Sequence, residues 1–102
     1  MFRSYLTQDR DTADRLLADE FVFTSPYDDH IDKTAFFERC FPTADRFVTH
    51  EMLDVVPADG DDVFVMYEYE LTTGARHRNV EVLTVHDDQI TETQVFFGGR
   101  VH

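Results

Sequence analysis

The sequence contains no tryptophan, one cysteine, three prolines and four glycines in 102 residues. With Cys40 alone, no internal disulfide can form, so packing has to hold the fold together. Cys40 lies in the apolar run Phe36-Phe37-Glu38-Arg39-Cys40-Phe41, which reads as a helix carrying a small buried hydrophobe rather than a nucleophile. No apolar stretch reaches the length of a membrane span, and Met1-Phe2-Arg3-Ser4-Tyr5 has no core of signal-peptide type. A soluble cytoplasmic protein is therefore expected. Positive charge is also scarce. Eight arginines and one lysine stand against 21 acidic residues, for a formal net charge of −12. Such a surface repels phosphate backbones and anionic lipid, which argues against nucleic-acid and membrane partners. The acidic excess, in which Asp outnumbers Glu two to one, reads as a solvated face with a compositional bias.

What is abundant is phenylalanine. Ten Phe and four Tyr give an aromatic core to a chain sized for one domain, residues 1–102. Residues 2–8 read as a short helix, with Phe2, Tyr5 and Leu6 on one face. Asp11 or Thr12 can cap a second helix whose apolar face is Ala13, Leu16 and Leu17. Phe21 to Ser25 reads as a strand stopped by Pro26, which has no N–H for a ladder. Tyr27 to His30 reads as a polar turn. Asp32 then caps a helix from Lys33 to Phe41, with Ile31 placed as a hydrophobic staple and Pro42 as the stop.

Beyond Pro42 the pattern is almost entirely β. Arg46 to Val56 reads as a long strand, and Asp59-Gly60 within the turn 57–62 is a hairpin signal. Val63 to Leu71, Arg76 to His86 and Ile90 to Phe97 form a meander, turned at Thr72-Thr73-Gly74 and Asp87-Asp88 and stopped by Gly98-Gly99. Helices first and a large antiparallel sheet after them indicate an α+β domain. A curved sheet with helices on one face can enclose a pocket.

The order Leu16-Leu17-Ala18-Asp19-Glu20-Phe21-Val22-Phe23, Ser25-Pro26, Phe41-Pro42, Asn79-Val80-Glu81-Val82-Leu83-Thr84-Val85, Gln89-Ile90-Thr91-Glu92 and Phe96-Phe97-Gly98 resembles the SnoaL-like branch of the nuclear transport factor 2-like superfamily. The resemblance implies a cone-shaped curved antiparallel sheet wrapped around N-terminal helices, with an apolar pocket at the open end. It also implies pairing of two copies through the outer sheet face. The first helix is shorter than the family's, which leaves one pocket wall open or to a partner chain. Relatives include ketosteroid isomerase, limonene epoxide hydrolase and polyketide cyclases, so the fold does not fix an activity. Aligned on the isomerase, its general base falls at Ser25, which takes no proton at neutral pH. Its oxyanion-stabilising acid falls at Glu81, and its first-helix tyrosine near Met1, with Tyr5 the nearest substitute. An acid of the epoxide hydrolase falls at Val95. Neither catalytic set is complete, which disfavours both activities.

Alternation supplies the remaining candidates. His77, Asn79, Glu81, Leu83 and Val85 share one face of their strand, and Val63, Val65, Tyr67, Tyr69 and Leu71 one face of theirs. A one-residue slip would invert either face, so inward and outward placements of Glu81 both stand at this level. Inward, Glu81 resists ionisation and suits a general acid, with Asn79 and the hydroxyl of Tyr67 or Tyr69 orienting a carbonyl. Asp28, His30 or His50 could serve as base, and Tyr5, Ser25, His77, Val95 and Phe97 complete the expected ligand wall. His86 and His102 are expected in solvent. Asp28-Asp29-His30 alternate in direction along an extended segment, so no metal is expected, nor any cofactor. The reading is a pocket protein for an apolar or cyclic small molecule, alternatively a cofactor-free isomerase, cyclase or hydrolase, or a dimerisation or partner-binding module. Phe64 and Met66, on the face opposite Tyr67, mark the surface for a homodimer.

Overall fold

The computed structural model describes residues 2–58 and 60–101. Met1, Asp59 and His102 lie outside them, and with them the position matched to the isomerase tyrosine and the expected exposure of His102. Among the described residues three short α-helices, α1 (Phe2–Thr7), α2 (Arg10–Leu16) and α3 (Lys33–Arg39), pack against a six-stranded sheet. The strands are β1 (Leu17–Ser25), β2 (Asp28–Asp32), β3 (Phe47–Pro57), β4 (Asp62–Leu71), β5 (Arg76–His86) and β6 (Gln89–Arg100). Their order across the curved, unclosed sheet is β2-β1-β6-β5-β4-β3. No helix among the described residues is long and apolar enough to cross a membrane.

Helix starts follow side-chain chemistry. Asp32 caps α3 by accepting from the Ala35 N–H at 2.9 Å, and Ile31 packs with the core beside Phe36. The cap of α2 is Asp9, not Asp11 or Thr12, because Asp9 takes both the N–H and the hydroxyl of Thr12, at 3.2 and 2.8 Å. The lone lysine closes this corner. Lys33 Nζ donates to the carbonyls of Asp14 and Leu17, at 2.9 and 3.0 Å, satisfying the otherwise unpaired end of α2. α3 ends at Arg39, short of Phe41, and a 3-10 helix from Phe41 to Arg46 carries the chain past Pro42 into β3.

The sheet departs from the expected meander in three places. The segment read as a polar turn is an edge strand, since β2 pairs antiparallel with β1 and only Pro26 and Tyr27 turn the chain. Thr24 stabilises this return by accepting from the His30 N–H at 3.1 Å. β1 joins β6 in parallel, so the sheet is not wholly antiparallel. Gly98 and Gly99 do not stop β6, which continues to Arg100. They make a bulge opposite Arg78, where a Cβ on Gly98 would lie 2.4 Å from the Arg78 carbonyl oxygen and Gly99 takes φ +85°. The Asp87-Asp88 turn holds as expected, with both residues at positive φ, as a two-residue hairpin requires. At the far edge, β3 carries its own irregularity between Met52 and Asp54.

The core is aromatic, as the composition requires. Phe21, Phe23, Phe36, Phe37 and Phe41 are buried with Ala13, Leu17, Ile90 and Val95. Ring contacts of 5.1–5.7 Å, mostly edge to face, join Phe21 and Phe23 each to Phe36, Phe36 to Phe37, and Phe37 to Phe41. This cluster fills one end of the concave sheet, leaving the other end open against β3, β4 and β5.

Candidate functional site

The open end holds a cavity of about 300 Å³. Phe21, Phe23 and Phe36 close its floor, and Leu83 and Val95 extend the apolar wall. The sheet resolves the ambiguity of the alternation. Glu81 on β5 lies opposite Val65 and Val95, Asn79 opposite Tyr67 and Phe97, and this shared face lines the cavity. Phe64, Met66, Val80, Val82 and Phe96 share the opposite, outer face.

Four side chains form a connected polar group on the cavity wall. The Tyr67 hydroxyl donates to Glu81 Oε2 at 2.5 Å. Asn79 Nδ2 donates to the hydroxyl oxygens of Tyr67 and Tyr69, at 3.2 and 3.4 Å. The Asn79 residue is 5 % exposed, and its Oδ1 has no hydrogen-bond partner among the described residues. His50, on β3, stacks on Tyr67 with ring centroids 4.8 Å apart and planes at 24°.

Burial sets the protonation of this group. Glu81 keeps some surface toward the cavity, but its carboxyl sits deep among protein atoms. That desolvation raises its pKa from 4.5 to about 7, against the opposing hydrogen bond from Tyr67. Tyr67 is pushed up by burial and then by the adjacent Glu81 charge, so it stays a phenol. Burial lowers the pKa of His50, which favours the neutral imidazole. A carboxyl that changes charge near neutrality, tied to a phenol that does not, can give or take a proton at an apolar surface.

The other candidates divide. Tyr5 lines the cavity and shares a 2.5 Å hydrogen bond with Thr43 Oγ1. Ser25 and Asp28 lie at its edge; Asp28 faces Arg39 Nη1 at 3.5 Å and accepts a 3.7 Å contact from Cys40 Sγ. Val95, Phe97 and Tyr69 also line it. His30 does not. Its φ of 50° turns it onto Asp29, 2.5 Å away and exposed. His77 shares the Glu81 face yet lines a second cavity, stacked on Tyr69 at 5.6 Å. His86 is exposed, facing Asp61 and Asp87. Among the described residues, no group of three or more His, Cys, Asp or Glu is placed to hold a metal ion.

Among the cavity residues that carried no functional expectation are Arg39, Cys40 and Arg46. Arg39 and Cys40 follow Phe36 at helical i+3 and i+4 spacing, so the buried Phe36 signals their direction. Burial, followed by the Asp28 charge, pushes the Cys40 thiol up to about 12. Arg46 ends the 3-10 helix, where neither helical nor strand periodicity indicates a facing.

Comparison with known proteins agrees with this architecture. A sequence profile of the SnoaL-like domain matches residues 1–93. A Kribbella flavida protein of known structure is 29 % identical, with 94 % of this chain and 78 % of that one aligned at a TM-score of 0.80. A second Kribbella flavida structure, a proposed ketosteroid isomerase, aligns over 99 % of this chain and 74 % of its own at 18 % identity and TM-score 0.79. An M. tuberculosis LEH-like epoxide hydrolase aligns over 93 % and 74 % at 24 % identity and TM-score 0.71. The latter two show a shared fold. No functionally curated protein matches the chain significantly. With 93 of its residues under one profile and this cone of sheet and helices, the chain belongs to the SnoaL-like domain family.

Proposed function

We propose that the chain binds a small, largely apolar, ring-bearing molecule in the cavity. One observation carries this reading: a cavity of about 300 Å³ with an aromatic and aliphatic floor carries a connected hydrogen-bonding group, Glu81, Tyr67 and Asn79, on its β4–β5 wall. That distribution suits a ligand with one polar edge. Isothermal titration with 2-tetralone tests it, comparing the protein with a Val95→Trp variant that fills the cavity. Saturable one-to-one binding lost on filling supports the reading. Heat that does not saturate, or binding unaffected by the tryptophan, overturns it.

A second reading is favoured by the coupling of Glu81 to Tyr67. Here Glu81 acts as acid, Tyr67 and Asn79 orient a carbonyl, and His50 or Asp28 receives the proton; the family's isomerases, cyclases and hydrolases make such chemistry a natural expectation. Exchange of the tetralone α-protons in D2O, followed by NMR, tests this. Exchange faster than in buffer and lost in Glu81→Gln supports proton transfer; exchange at the buffer rate leaves only binding.

For assembly, a homodimer through the outer sheet face is proposed. Phe64 and Phe96 are 43 % and 54 % exposed there, beside Arg76 and Arg78, which both hold Glu68. An apolar patch bordered by fixed charges is the composition of a specific interface. Light scattering should give twice the chain mass, and Phe64→Glu should halve it; a monomeric parent protein refutes this.

A further inference from the structure

A second cavity, of about 320 Å³, meets the first at Asn79. Arg46, Tyr69, Asn79 and Phe97 line both, so these four side chains form the partition between them. His77 lies only on the outer side and Glu81 only on the inner side.

The partition has an unmet acceptor. Tyr67 gives its proton to Glu81, so Asn79 must point its NH2 group at Tyr67, and its Oδ1 is the atom left over. A buried carbonyl oxygen without a donor destabilises the folded chain, and a ligand O–H or N–H at this neck removes that penalty. The partition also has a cation without a carboxylate partner among the described residues. Of the two arginines lining the inner cavity, Arg39 is engaged by Asp28, whereas Arg46 makes no ion pair among the described residues. Its Nε donates to the Thr43 carbonyl at 3.3 Å, and its guanidinium lies 5.9 Å from the Phe47 ring centroid. Its charge and its hydrogen bond to the Tyr5 hydroxyl oppose the burial-driven rise in the Tyr5 pKa, as its charge does for Tyr69.

We infer that the two cavities together take a ring-bearing carboxylic acid with a hydroxyl or amide N–H between ring and acid. This rests on the inner cavity binding a ring, as proposed above. The ring lies among Phe21, Phe23 and Leu83, the donor meets Asn79 Oδ1, and the carboxylate reaches Arg46 on the outer side. The reverse orientation would bring the ligand's carboxylate to Glu81, like charge against like charge. Over a surface of net charge −12, an anion is held only where a cation faces it without a competing carboxylate.

The test is titration calorimetry with 3-hydroxy-3-(2-naphthyl)propanoate, its methyl ester and the acid lacking the hydroxyl. The hydroxy acid should bind about tenfold or more tighter than its ester, because a hydrogen bond to a charged group is lost in the ester. Arg46→Gln, at an exposed position, should erase that difference, weakening the acid far more than the ester. Loss of the hydroxyl should weaken binding about fivefold in both proteins. Equal affinity of acid and ester, with the ester still bound, overturns this inference and leaves the ring-binding reading standing. If none of the three binds, this inference falls, and the 2-tetralone titration alone decides the ring-binding reading.

Discussion

Replacing Glu81 by glutamine should change how stability depends on pH, in a direction fixed by the site. In the folded chain the Glu81 pKa is raised from 4.5 to about 7, so the folded state holds this proton more tightly than the unfolded chain does. The stability it contributes is complete below about pH 4.5, declines as pH rises and is gone above about pH 7. A rise of about 2.5 pH units corresponds to about 3 kcal/mol, of which about 2 kcal/mol falls between about pH 5.5 and pH 8.5. Glutamine has nearly the shape of the protonated acid, can accept from Tyr67, and does not titrate. The variant should therefore be near parity with the parent at the acidic end and more stable by about 2–3 kcal/mol at the alkaline end. His50, whose pKa is lowered by burial, works in the opposite sense as pH falls, but it is common to both proteins and cancels in the difference. Urea unfolding at four pH values, read by circular dichroism, measures this directly. A difference between the two proteins that stays flat to within about 0.5 kcal/mol would refute a buried, titrating Glu81.

Three further outcomes follow from packing and capping. Gly98→Ala should destabilise the fold by about 1–3 kcal/mol, seen as a lower thermal midpoint, because its methyl meets the Arg78 backbone rather than a movable side chain. Asp32→Ala should cost about 1 kcal/mol through loss of the α3 cap, whereas Asp11→Ala should change the midpoint little. Cys40, with its thiol pushed up to about 12, should resist iodoacetamide at neutral pH in the folded protein and react once the chain is unfolded in urea.

The architecture was readable because strong local signals coincide with it. Asp32, the β-branched runs of β4 and β5, and the paired aspartates at 87 and 88 each specify one local conformation. Alternation also grouped Asn79, Glu81 and His77 correctly on one face. It did not show that the sheet carries His77 beyond a partition made by distant residues. β2 was hidden because Asp28, Asp29 and His30 have poor strand propensity, and backbone pairing to β1 outweighs it at an edge. The glycine pair reads as a stop by composition. In the folded chain it instead allows two backbones to approach, a requirement set by β5 twenty residues earlier. Arg46 was unreadable for a different reason, since its placement depends on how a 3-10 helix hands the chain to β3.

The unclosed sheet leaves β3 as an eleven-residue edge with Val48, Val55 and Val56 exposed. Such an edge is a template for strand addition by another molecule. Glu51 and Asp54, the irregularity between Met52 and Asp54, and the terminal Pro57 all oppose that addition. Two of these four guards are charges. Toward the isoelectric point near 4.5 the net charge of the chain falls to zero, while the valines and the open ladder remain. Colloidal behaviour in mild acid is thus governed at this edge, on the same strand that brings Phe47 and His50 to the cavity.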